Sequence, residues 1–304
     1  MASNNDVYYS PRELLRPSSV HQALEELKKS GGRARVVGGN TTLYEFARQG
    51  ALAGVETLID AKGLGLDYIR EDDASGSTSP TSLSVGSAVT FTQLAASRLI
   101  RDSPCWHALS EVASKITPPQ VRNMATIGGA TCSGIPFYDI PVVLLALDAR
   151  AEIASLDSGT RMVAMEEFFQ DYFITALQPE EMLIGFSIPS VKDARSSFVK
   201  LGRSSSDFAV VNVSARIVRP DPTRISEARI ALGAVANTPI RARRCEEILV
   251  EDSEATRTTI IDRAAQAALE GLEPTPSIHA SSEYKKKVIP FLVRDAILMA
   301  LGNV

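Results

Sequence analysis

Cysteine and histidine, the residues that most often hold structural metals, are scarce in this sequence. The three cysteines, Cys105, Cys132 and Cys245, lie far apart and form no Cys-x-x-Cys pair. They are too few to hold a four-cysteine iron–sulfur cluster, and the three histidines share no ligand spacing. We therefore expect no metal site in this chain. An odd number of widely spaced cysteines also favours a reducing compartment over a disulfide-linked secreted protein.

The sequence also lacks an excess of basic charge and a long hydrophobic run. Its formal net charge is −4, so no overall positive field favours nucleic acid as a partner. The longest apolar run, Ile140 to Leu147, has about eight residues, whereas a membrane-spanning helix needs roughly 18. The N-terminus has neither the basic start nor the apolar stretch of a signal peptide. We expect a soluble cytoplasmic protein that binds no nucleic acid and does not span a membrane.

Three familiar active-site motifs are missing as well. No Gly-x-Gly-x-x-Gly follows a predicted strand into a helix, so the usual dinucleotide-binding fingerprint is not there. The phosphate loop Gly-x-x-x-x-Gly-Lys-Ser/Thr and the hydrolase elbow Gly-x-Ser-x-Gly do not occur either. The remaining composition is ordinary: 304 residues with 44% hydrophobic and 22% charged side chains predict a globular chain of roughly two domains.

The first 60 residues predict a small α/β unit. Ser19 is a good N-cap, and Gln22 completes the pattern of a capping box. Gly31 or Gly32 can end this helix in the left-handed conformation. The next predicted elements are a strand at 34–37, a helix at 43–49 and a strand at 56–59. Beyond them we predict a polar surface loop at 71–82, a helix capped by Thr92 and a helix at 104–116.

The pattern changes near residues 190–196, which we interpret as the boundary between domains at 1–194 and 195–304. The first domain would contain a small α/β part, about 1–60, and a larger α/β part, 61–194. After the boundary, strands are followed by helices, which is typical of an α+β domain. We expect strands at 198–201, 208–218 and 225–236, and helices at 241–249, 254–270 and 281–301, the last kinked or interrupted by Pro290.

Two glycine-containing segments are the candidates for ligand binding. Gly38-Gly39 follows a strand and opens a helix, where backbone N–H groups can approach an anion closely. The second segment, 126–129, again holds two glycines, with Ser133 and Asp139 downstream. Each also has a plain structural interpretation. The glycine pair can be only a tight turn, and Asp139 can cap the helix starting at Ile140, which its spacing favours.

Both segments resemble the flavin-binding turns of one protein family. Val37 to Thr41 is similar to the first turn in the FAD subunit of molybdenum hydroxylases, the family of xanthine dehydrogenase and aerobic carbon monoxide dehydrogenase. Gln120 to Gly129 is similar to the second turn. Four further segments resemble the family in the same order, and together they extend over essentially the whole chain: 136–149, 168–189, 200–207 and 233–242.

This resemblance implies an α+β fold. Residues 1–194 would form a two-subdomain FAD-binding domain of the p-cresol methylhydroxylase type. Residues 195–304 would form a smaller α+β domain of the carbon monoxide dehydrogenase flavoprotein type, with a three-stranded antiparallel sheet and helices. FAD would be bound by the first domain.

The resemblance also implies roles for individual residues. Backbone groups of the first turn, which begins at Val37, would bind the FAD pyrophosphate: Gly38, Gly39, Asn40 and Thr41. The second turn and the chain after it would line the same cofactor through Thr126, Ile127, Gly128, Gly129 and Ser133. Further expected contacts are Asp139 with the ribose or adenosine, Leu183 with the adenine, and Lys200 with the isoalloxazine or the oxidant pocket. Secondary candidates near Lys200 are Arg203, Asp207 and Phe208.

The function that the resemblance implies is electron transfer. FAD in this chain would take electrons from a [2Fe–2S] cluster on a small partner subunit and pass them to NAD⁺, dioxygen or a quinone. A large partner subunit would hold the molybdenum cofactor and hydroxylate the substrate. The family implies a heterohexamer with two copies of each of the three subunits.

Three positions depart from the family pattern. Ala130 stands where the family usually has Asn, Ile135 where it usually has Ser, and Asn40 where Thr or His is more common. Two alternatives to the electron-transfer subunit stay open. One is a self-contained FAD oxidase or dehydrogenase of a small molecule, and the other is a non-catalytic scaffold that has lost FAD.

A few remaining residues have plain structural interpretations. Cys132, inside the second turn, is expected to be a small buried thiol. Lys285-Lys286-Lys287 is expected to be a solvated face of the last helix. Phe137 and Tyr138 pack either on the cofactor or on the following helix.

Overall fold

A parallel sheet with two helices forms the N-terminal part of the structure. The computed structural model describes residues 11–50, 52–72, 81–116, 118–204, 207–251 and 258–302. The strands of this first part that lie within those ranges pair in parallel in the order β1-β3-β2. Its elements are β1 (Glu13–Leu15), α1 (Val20–Ser30), β2 (Ala34–Val37), α2 (Thr41–Arg48) and β3 (Thr57–Asp60). The predicted glycine turn therefore joins the end of β2 to the start of α2.

Local signals set both ends of α1 as predicted. The Ser19 hydroxyl accepts a hydrogen bond from the Gln22 N–H at 3.2 Å, and Gly31 ends the helix with a φ of +57°. The predicted capping box is wrong in one detail, because the Gln22 side chain accepts from the N–H of Ser18 at 2.8 Å instead of Ser19. The helix buries its predicted apolar face, which consists of Ala23, Leu24 and Leu27.

An antiparallel sheet surrounded by short helices forms the second part. Among the described residues its strands pair in the order β4-β5-β10-β6-β7. The strands are β4 (Ile69–Asp72), β5 (Ser82–Gly86), β6 (Arg150–Ser155), β7 (Gly159–Ala164) and β10 (Glu181–Pro189), with a small hairpin of β8 (Phe169–Asp171) and β9 (Ile174–Thr175). The helices are α3 (Phe91–Ala96), α4 (Arg98–Arg101), α5 (His107–Lys115), α6 (Pro119–Met124), α7 (Ile127–Cys132), α8 (Asp139–Ala146) and α9 (Met165–Phe168).

Two predictions for this part need correction or lie outside the described residues. Helix α3 is capped by Thr90 and not by Thr92, because Thr90 and Gln93 exchange the two hydrogen bonds of a capping box. Thr92 instead donates its hydroxyl to the Asn123 side chain at 2.6 Å. Most of the polar loop predicted at 71–82 lies outside the described residues, and so do residues 1–10; β4 and β5 pair on either side of that loop.

The C-terminal part has the antiparallel sheet that the resemblance implied, with one more strand. In the described ranges this sheet has the order β11-β12-β13-β14, from β11 (Ala194–Leu201), β12 (Val211–Val218), β13 (Glu227–Gly233) and the two-residue β14 (Ile240–Arg241). Three helices follow: α10 (Arg243–Glu251), α11 (Thr258–Ala267) and α12 (Ser282–Leu301). The start predicted for the middle helix, near 254, lies outside the described residues.

Helix α12 differs from its prediction at two positions. It is not interrupted at Pro290, whose ring is buried where the helix packs on β11 and β12, so tertiary packing outweighs the missing N–H. Lys285 is not a solvated residue but is 2% exposed. Its ammonium donates to the Ala234 carbonyl and, at 2.8 Å, to the Thr275 carbonyl, which explains how the charge is accommodated. None of the helices in the described part of the chain is long and apolar enough to cross a membrane.

Helix α8 packs between short helices of the second part and the C-terminal sheet. It packs against β12 and β13, and its eight residues are all buried. At its C-terminal end, Arg216 of β12 donates to the Leu147 carbonyl at 3.0 Å, and Arg229 of β13 pairs with Asp148 at 2.8 Å. The apolar core around α8 includes Phe198 of β11, Val218 of β12 and Ala231 of β13. The C-terminal end of α8 is therefore held against the C-terminal sheet.

Candidate functional site

A cavity of about 680 Å³ lies where three regions of the chain meet. One wall comes from the end of β2 and from α2, and a second comes from residues 125–140, which carry α7 and the start of α8. The C-terminal part supplies Lys200, Asp207 and Phe208. This volume is in the range of small-molecule and cofactor sites, about 300–1,000 Å³.

The first glycine turn packs directly on the second segment. A Cβ on Gly39 would lie 1.6 Å from the Met124 carbonyl oxygen, and one on Gly38 would lie 2.8 Å from the Thr126 Oγ1. Asn40, with a φ of +59°, then turns the chain into α2. The first N–H groups of a helix need partners outside it, so this end of α2 suits an anion at the cavity wall.

The second segment is a short helix and not an open loop. Thr126 caps α7 by accepting a hydrogen bond from the Gly129 N–H at 3.0 Å. Gly129 faces the cavity, whereas a Cβ on Gly128 would lie 2.6 Å from the Ser87 carbonyl oxygen. The two glycines thus serve different purposes: Gly128 permits close packing within the protein, and Gly129 leaves room on the cavity side.

Asp139 is part of a buried polar cluster at the cavity wall. Its carboxylate receives the Lys200 ammonium on Oδ2 at 2.9 Å and the Asn212 amide on Oδ1 at 2.6 Å. Asp139 is 8% exposed, and burial raises its pKa although the Lys200 charge and both hydrogen bonds act in the opposite direction. The expectation that Asp139 caps the helix is wrong. Tyr138 is the N-cap, and Asp139 is the first helical residue, with its side chain turned to β11 and β12.

Comparison with known proteins identifies what such a cavity belongs to. The chain matches the family model described as the FAD binding domain in molybdopterin dehydrogenase over residues 9–191. This chain belongs to that family of FAD-binding dehydrogenase subunits. Residues 196–300 of the flavoprotein match the model described as the CO dehydrogenase flavoprotein C-terminal domain. The resemblance noted from the two glycine turns is therefore confirmed.

Individual relatives extend the match over nearly all of the flavoprotein. It is 29% identical to the 6-hydroxypseudooxynicotine dehydrogenase complex subunit alpha of Paenarthrobacter nicotinovorans, over 93% of this chain and 92% of that one. It is 31% identical to the xanthine dehydrogenase FAD-binding subunit of Escherichia coli O157:H7, over 73% and 75%. Among solved structures, reconstituted CO dehydrogenase from Oligotropha carboxidovorans aligns with a TM-score of 0.88 at 28% identity, over 98% and 100%.

Ten of the thirteen residues predicted for the cofactor site line the cavity. They are Val37, Gly38, Gly39, Asn40, Thr41, Thr126, Gly129, Ser133, Asp139 and Lys200. The other three do not line the cavity. Ile127 and Gly128 are buried residues of α7, and Leu183 is buried in the apolar core. For Gly128 the structure offers a packing reason instead, whereas the contact of Leu183 with adenine stays a prediction.

Aromatic side chains form one rim of the cavity. The rings of Tyr138 and Phe208 stack with centroids 5.7 Å apart, and Phe137 lies 5.0 Å from Phe208. The Tyr138 hydroxyl is 2.9 Å from the Thr42 hydroxyl of α2, which ties this rim to the first turn. Both Phe137 and Tyr138 line the cavity, so they are available to a cofactor and do not pack only on α8. Asp207 also lines it, with its carboxylate 3.3 Å from Arg203.

Two further cavity residues differ from expectation or were missed. Cys132 was expected to be buried, but its side chain is exposed at the cavity wall. Desolvation by the protein around the cavity nevertheless raises the pKa of its thiol to about 12. Phe173, at the tip of the β8–β9 hairpin, has a φ of +58° and places its ring 5.7 Å from Phe46 of α2. Its N–H donates to the Gly134 carbonyl at 3.0 Å. A bulky residue in the left-handed region is invisible to pattern analysis, because no glycine or asparagine marks the turn.

Asn212 is the functional candidate that sequence analysis missed. It is fully buried in β12, where the polar residues Asn212, Ser214 and Arg216 alternate with apolar ones. Such alternation is typical of a strand with one solvated face, so the sequence pattern does not mark Asn212 as buried. Its partner has no local signal either, since Asp139 lies 73 residues earlier.

Proposed function

We propose that this flavoprotein is the electron-transfer subunit of a multi-subunit molybdenum-containing hydroxylase or dehydrogenase. Electrons would arrive from a [2Fe–2S] cluster on a small partner subunit and leave to an external acceptor. A large partner subunit with the molybdenum cofactor would act on the substrate. The observation that carries the proposal is the cavity in which both glycine turns and Lys200 of the C-terminal part meet.

The residues of the cavity fit FAD in kind and in place. Gly129 leaves the wall open where a side chain would project, and the first N–H groups of α2 suit the pyrophosphate. The Lys200–Asp139 pair and the aromatic rim would hold the remaining parts of the cofactor. When bound, FAD supplies chemistry that no side chain has, since it accepts electrons singly or in pairs. The protein's part is to bind it, orient it and set its electrostatic surroundings.

Two observations favour a subunit over a self-contained enzyme. Relatives of this chain are named as parts of complexes, among them the nicotine 6-hydroxylase medium subunit of Paenarthrobacter nicotinovorans and the carbon monoxide dehydrogenase medium chain of Afipia carboxidovorans. Three dispersed cysteines cannot supply the ligands of a four-cysteine iron–sulfur cluster, so a cluster that donates electrons to this FAD would lie on another polypeptide. We propose an assembly of two copies of each of three subunits. We also propose that it is located in the cytoplasm, since free cysteines are typical of a reducing compartment.

The departures at Ala130 and Ile135 leave the cavity in place. Ala130 lines it with a small apolar side chain, while Ile135 is 6% exposed. Hydroxyl groups of Thr126 and Ser133 remain at the same wall. We therefore propose that FAD binding survives these departures.

The absorption spectrum of the purified chain tests FAD binding. We expect flavin bands at close to one FAD per chain, either as isolated or after reconstitution with FAD. A colourless protein that takes up no FAD would contradict the proposal and support the scaffold alternative.

Purification from the native host tests the subunit assignment. We expect iron, acid-labile sulfide and molybdenum to co-purify with the chain, and the flavin to be reduced by substrate only in the presence of the partner subunits. Substrate turnover by the isolated FAD-loaded chain, without iron or molybdenum, would support the self-contained oxidase instead.

A further inference from the structure

Asn212 and Lys200 hold the Asp139 carboxylate from two adjacent strands. Lys200 on β11 and Asn212 on β12 are directly paired in the antiparallel register, so their side chains reach the same carboxylate side by side. The Asn212 amide donates at 2.6 Å to Oδ1, and it also lies 3.4 Å from the Tyr138 carbonyl oxygen. Each oxygen of Asp139 thus receives one donor from the C-terminal sheet.

The amide of Asn212 is held in this orientation at a cost. Its own Oδ1 is buried and meets no hydrogen-bond donor within the described part of the chain. Turning the amide over would bring Oδ1 against the Asp139 carboxylate, which repels it. A buried polar atom without a partner destabilises a fold, so the donor to Asp139 is kept in spite of that loss.

The neighbouring strand leaves space for the amide. Gly233 of β13 pairs directly with Asn212, and a Cβ on Gly233 would lie 2.2 Å from the Asn212 Oδ1. It would also lie 2.4 Å from Val142 of α8. Glycine at position 233 therefore leaves the space that the Asn212 side chain occupies.

We propose that Asn212 is a positioning residue of the cofactor site, which keeps the Asp139 carboxylate ionised and fixed at the cavity wall as a hydrogen-bond acceptor for FAD. The proposal rests on the proposed function, because it requires that the wild-type chain binds FAD. Asn212 itself is absent from the cavity lining and acts only through Asp139.

The electrostatic surroundings make the protonation state of Asp139 sensitive to Asn212. Burial raises the pKa of Asp139, while the Lys200 charge and the two hydrogen bonds lower it, with a smaller lowering from Lys115 of α5. The other cations that contact α8 from the sheet, Arg216 and Arg229, lie at its opposite end. Loss of the neutral donor would therefore let Asp139 take up a proton at a higher pH than in the wild type.

The test is the dissociation constant of FAD, measured by flavin fluorescence between pH 5 and pH 9. The variants are Asn212→Leu, Asn212→Asp and, as the matched control, Ser214→Ala. Ser214 is equally buried on the same face of β12, and its hydroxyl donates to the Ser197 carbonyl at 2.9 Å, away from Asp139. We expect Asn212→Leu to bind FAD roughly tenfold more weakly at pH 7.5. Its loss of affinity on acidification should also begin at a higher pH than in wild type.

Asn212→Asp keeps the size of the side chain and is the more decisive variant. Two carboxylates in contact share one proton, and the protonated one donates as the amide did. We expect its FAD affinity to increase as the pH falls from 9, the opposite of wild type, while Ser214→Ala follows the wild type. Wild-type affinity and an unchanged pH profile in both Asn212 variants would overturn the proposal. Failure of the wild-type chain itself to bind FAD would instead contradict the proposed function.

Discussion

The contact between the two glycine turns leads to a sharp prediction about Gly39. In Gly39→Ala, the new Cβ would lie 1.6 Å from the Met124 carbonyl oxygen and 2.9 Å from the Ala125 nitrogen. An ordinary contact needs about 3.4 Å, so the two turns must move apart by about 1.8 Å. Both sides of this contact are backbone, and a change of side-chain rotamer cannot relieve it. The substitution therefore separates the walls of the cavity.

The cost follows from the same geometry. Extra methylenes in a packed core cost typically about 1–3 kcal/mol, and a backbone clash belongs at or above the upper end of that range. With an unfolding entropy of about 2.1 cal/mol/K per residue over 304 residues, a loss of about 3 kcal/mol corresponds to a fall of roughly 5 °C in the unfolding temperature. We expect this fall in the FAD-free protein, together with loss of FAD binding.

Gly129→Ala is the matched variant. A Cβ on Gly129 would meet only the Thr126 Oγ1, at 3.0 Å, and would otherwise project into the cavity. Alanine is also favoured over glycine in a helix by up to about 1 kcal/mol, so the FAD-free protein should melt at or slightly above the wild-type temperature. FAD affinity should nevertheless fall at least tenfold, because the methyl group occupies space on the cofactor side.

The assays are thermal unfolding of the FAD-free protein by circular dichroism and titration with FAD by fluorescence. The expected pattern is instability with lost binding for Gly39→Ala, and normal stability with weakened binding for Gly129→Ala. If Gly39→Ala melts like the wild type and binds FAD, the close approach of the two turns does not govern the site. If Gly129→Ala binds FAD with wild-type affinity, the cofactor does not use this wall.

Three further predictions concern single residues around the cavity and in the C-terminal domain. N-ethylmaleimide should modify Cys132 slowly at neutral pH and faster at alkaline pH, because the Cys132 pKa of about 12 leaves little thiolate at neutral pH. Bound FAD should block this modification. If peptide mass spectrometry shows that FAD does not protect Cys132, the cofactor binds elsewhere. Lys285→Met should lower the free energy of unfolding by about 1–3 kcal/mol, since two carbonyls lose their donor. Burial lowers the pKa of Lys285, so the unfolded chain binds this proton more tightly than the folded protein does. The free energy of unfolding of the wild type, relative to that of Lys285→Met, should therefore increase with pH up to about 10.4. Urea unfolding in which this difference in free energy becomes smaller between pH 7 and pH 10 would contradict the prediction. Phe173→Gly should weaken FAD binding but leave the unfolding temperature nearly unchanged. The relief of the left-handed backbone conformation, about 1–2 kcal/mol, offsets the lost contact with Phe46. A large fall in the unfolding temperature would show instead that this residue is needed to stabilise the fold.

Elements with local signals were predictable from the sequence. The ends of α1 follow from Ser19 and Gly31, which act on the backbone within a few residues of themselves. The glycine turn after β2 was predictable for the same reason. A departure from the family pattern, such as alanine in place of asparagine at Ala130, is also visible in the sequence, although its consequence is not.

Features that depend on distant partners were not predictable. The fate of the Asp139 carboxylate is decided by Lys200 and Asn212, which are 61 and 73 residues away. Without those partners, capping of the next helix was the sound local inference. The need for glycine at position 39 likewise arises from Met124 on another turn, and no local rule contains that distance.

Lys285 is an intermediate case, in which the signal was present and was not used. It stands four residues before Ile289 and eight before Val293, so helical spacing puts all three on one face. Two of them are core residues, and the third must then be buried with them. A run of three lysines hides this, because composition suggests a solvated surface for the whole run.

Residues of both the N-terminal and the C-terminal part line the cavity, and contacts of α8 hold the two parts together there. Asp139 at the start of this helix is held by Lys200 and Asn212, and the carbonyl of Leu147 at its end is held by Arg216. All three of these side chains come from β11 and β12, so the C-terminal sheet fixes the helix that forms the second wall of the site. FAD bound at this wall, as proposed, would therefore stabilise contacts between the two parts of the chain as well as within the first. A cofactor that links two domains in this way can report, through its affinity, on any partner that changes their packing.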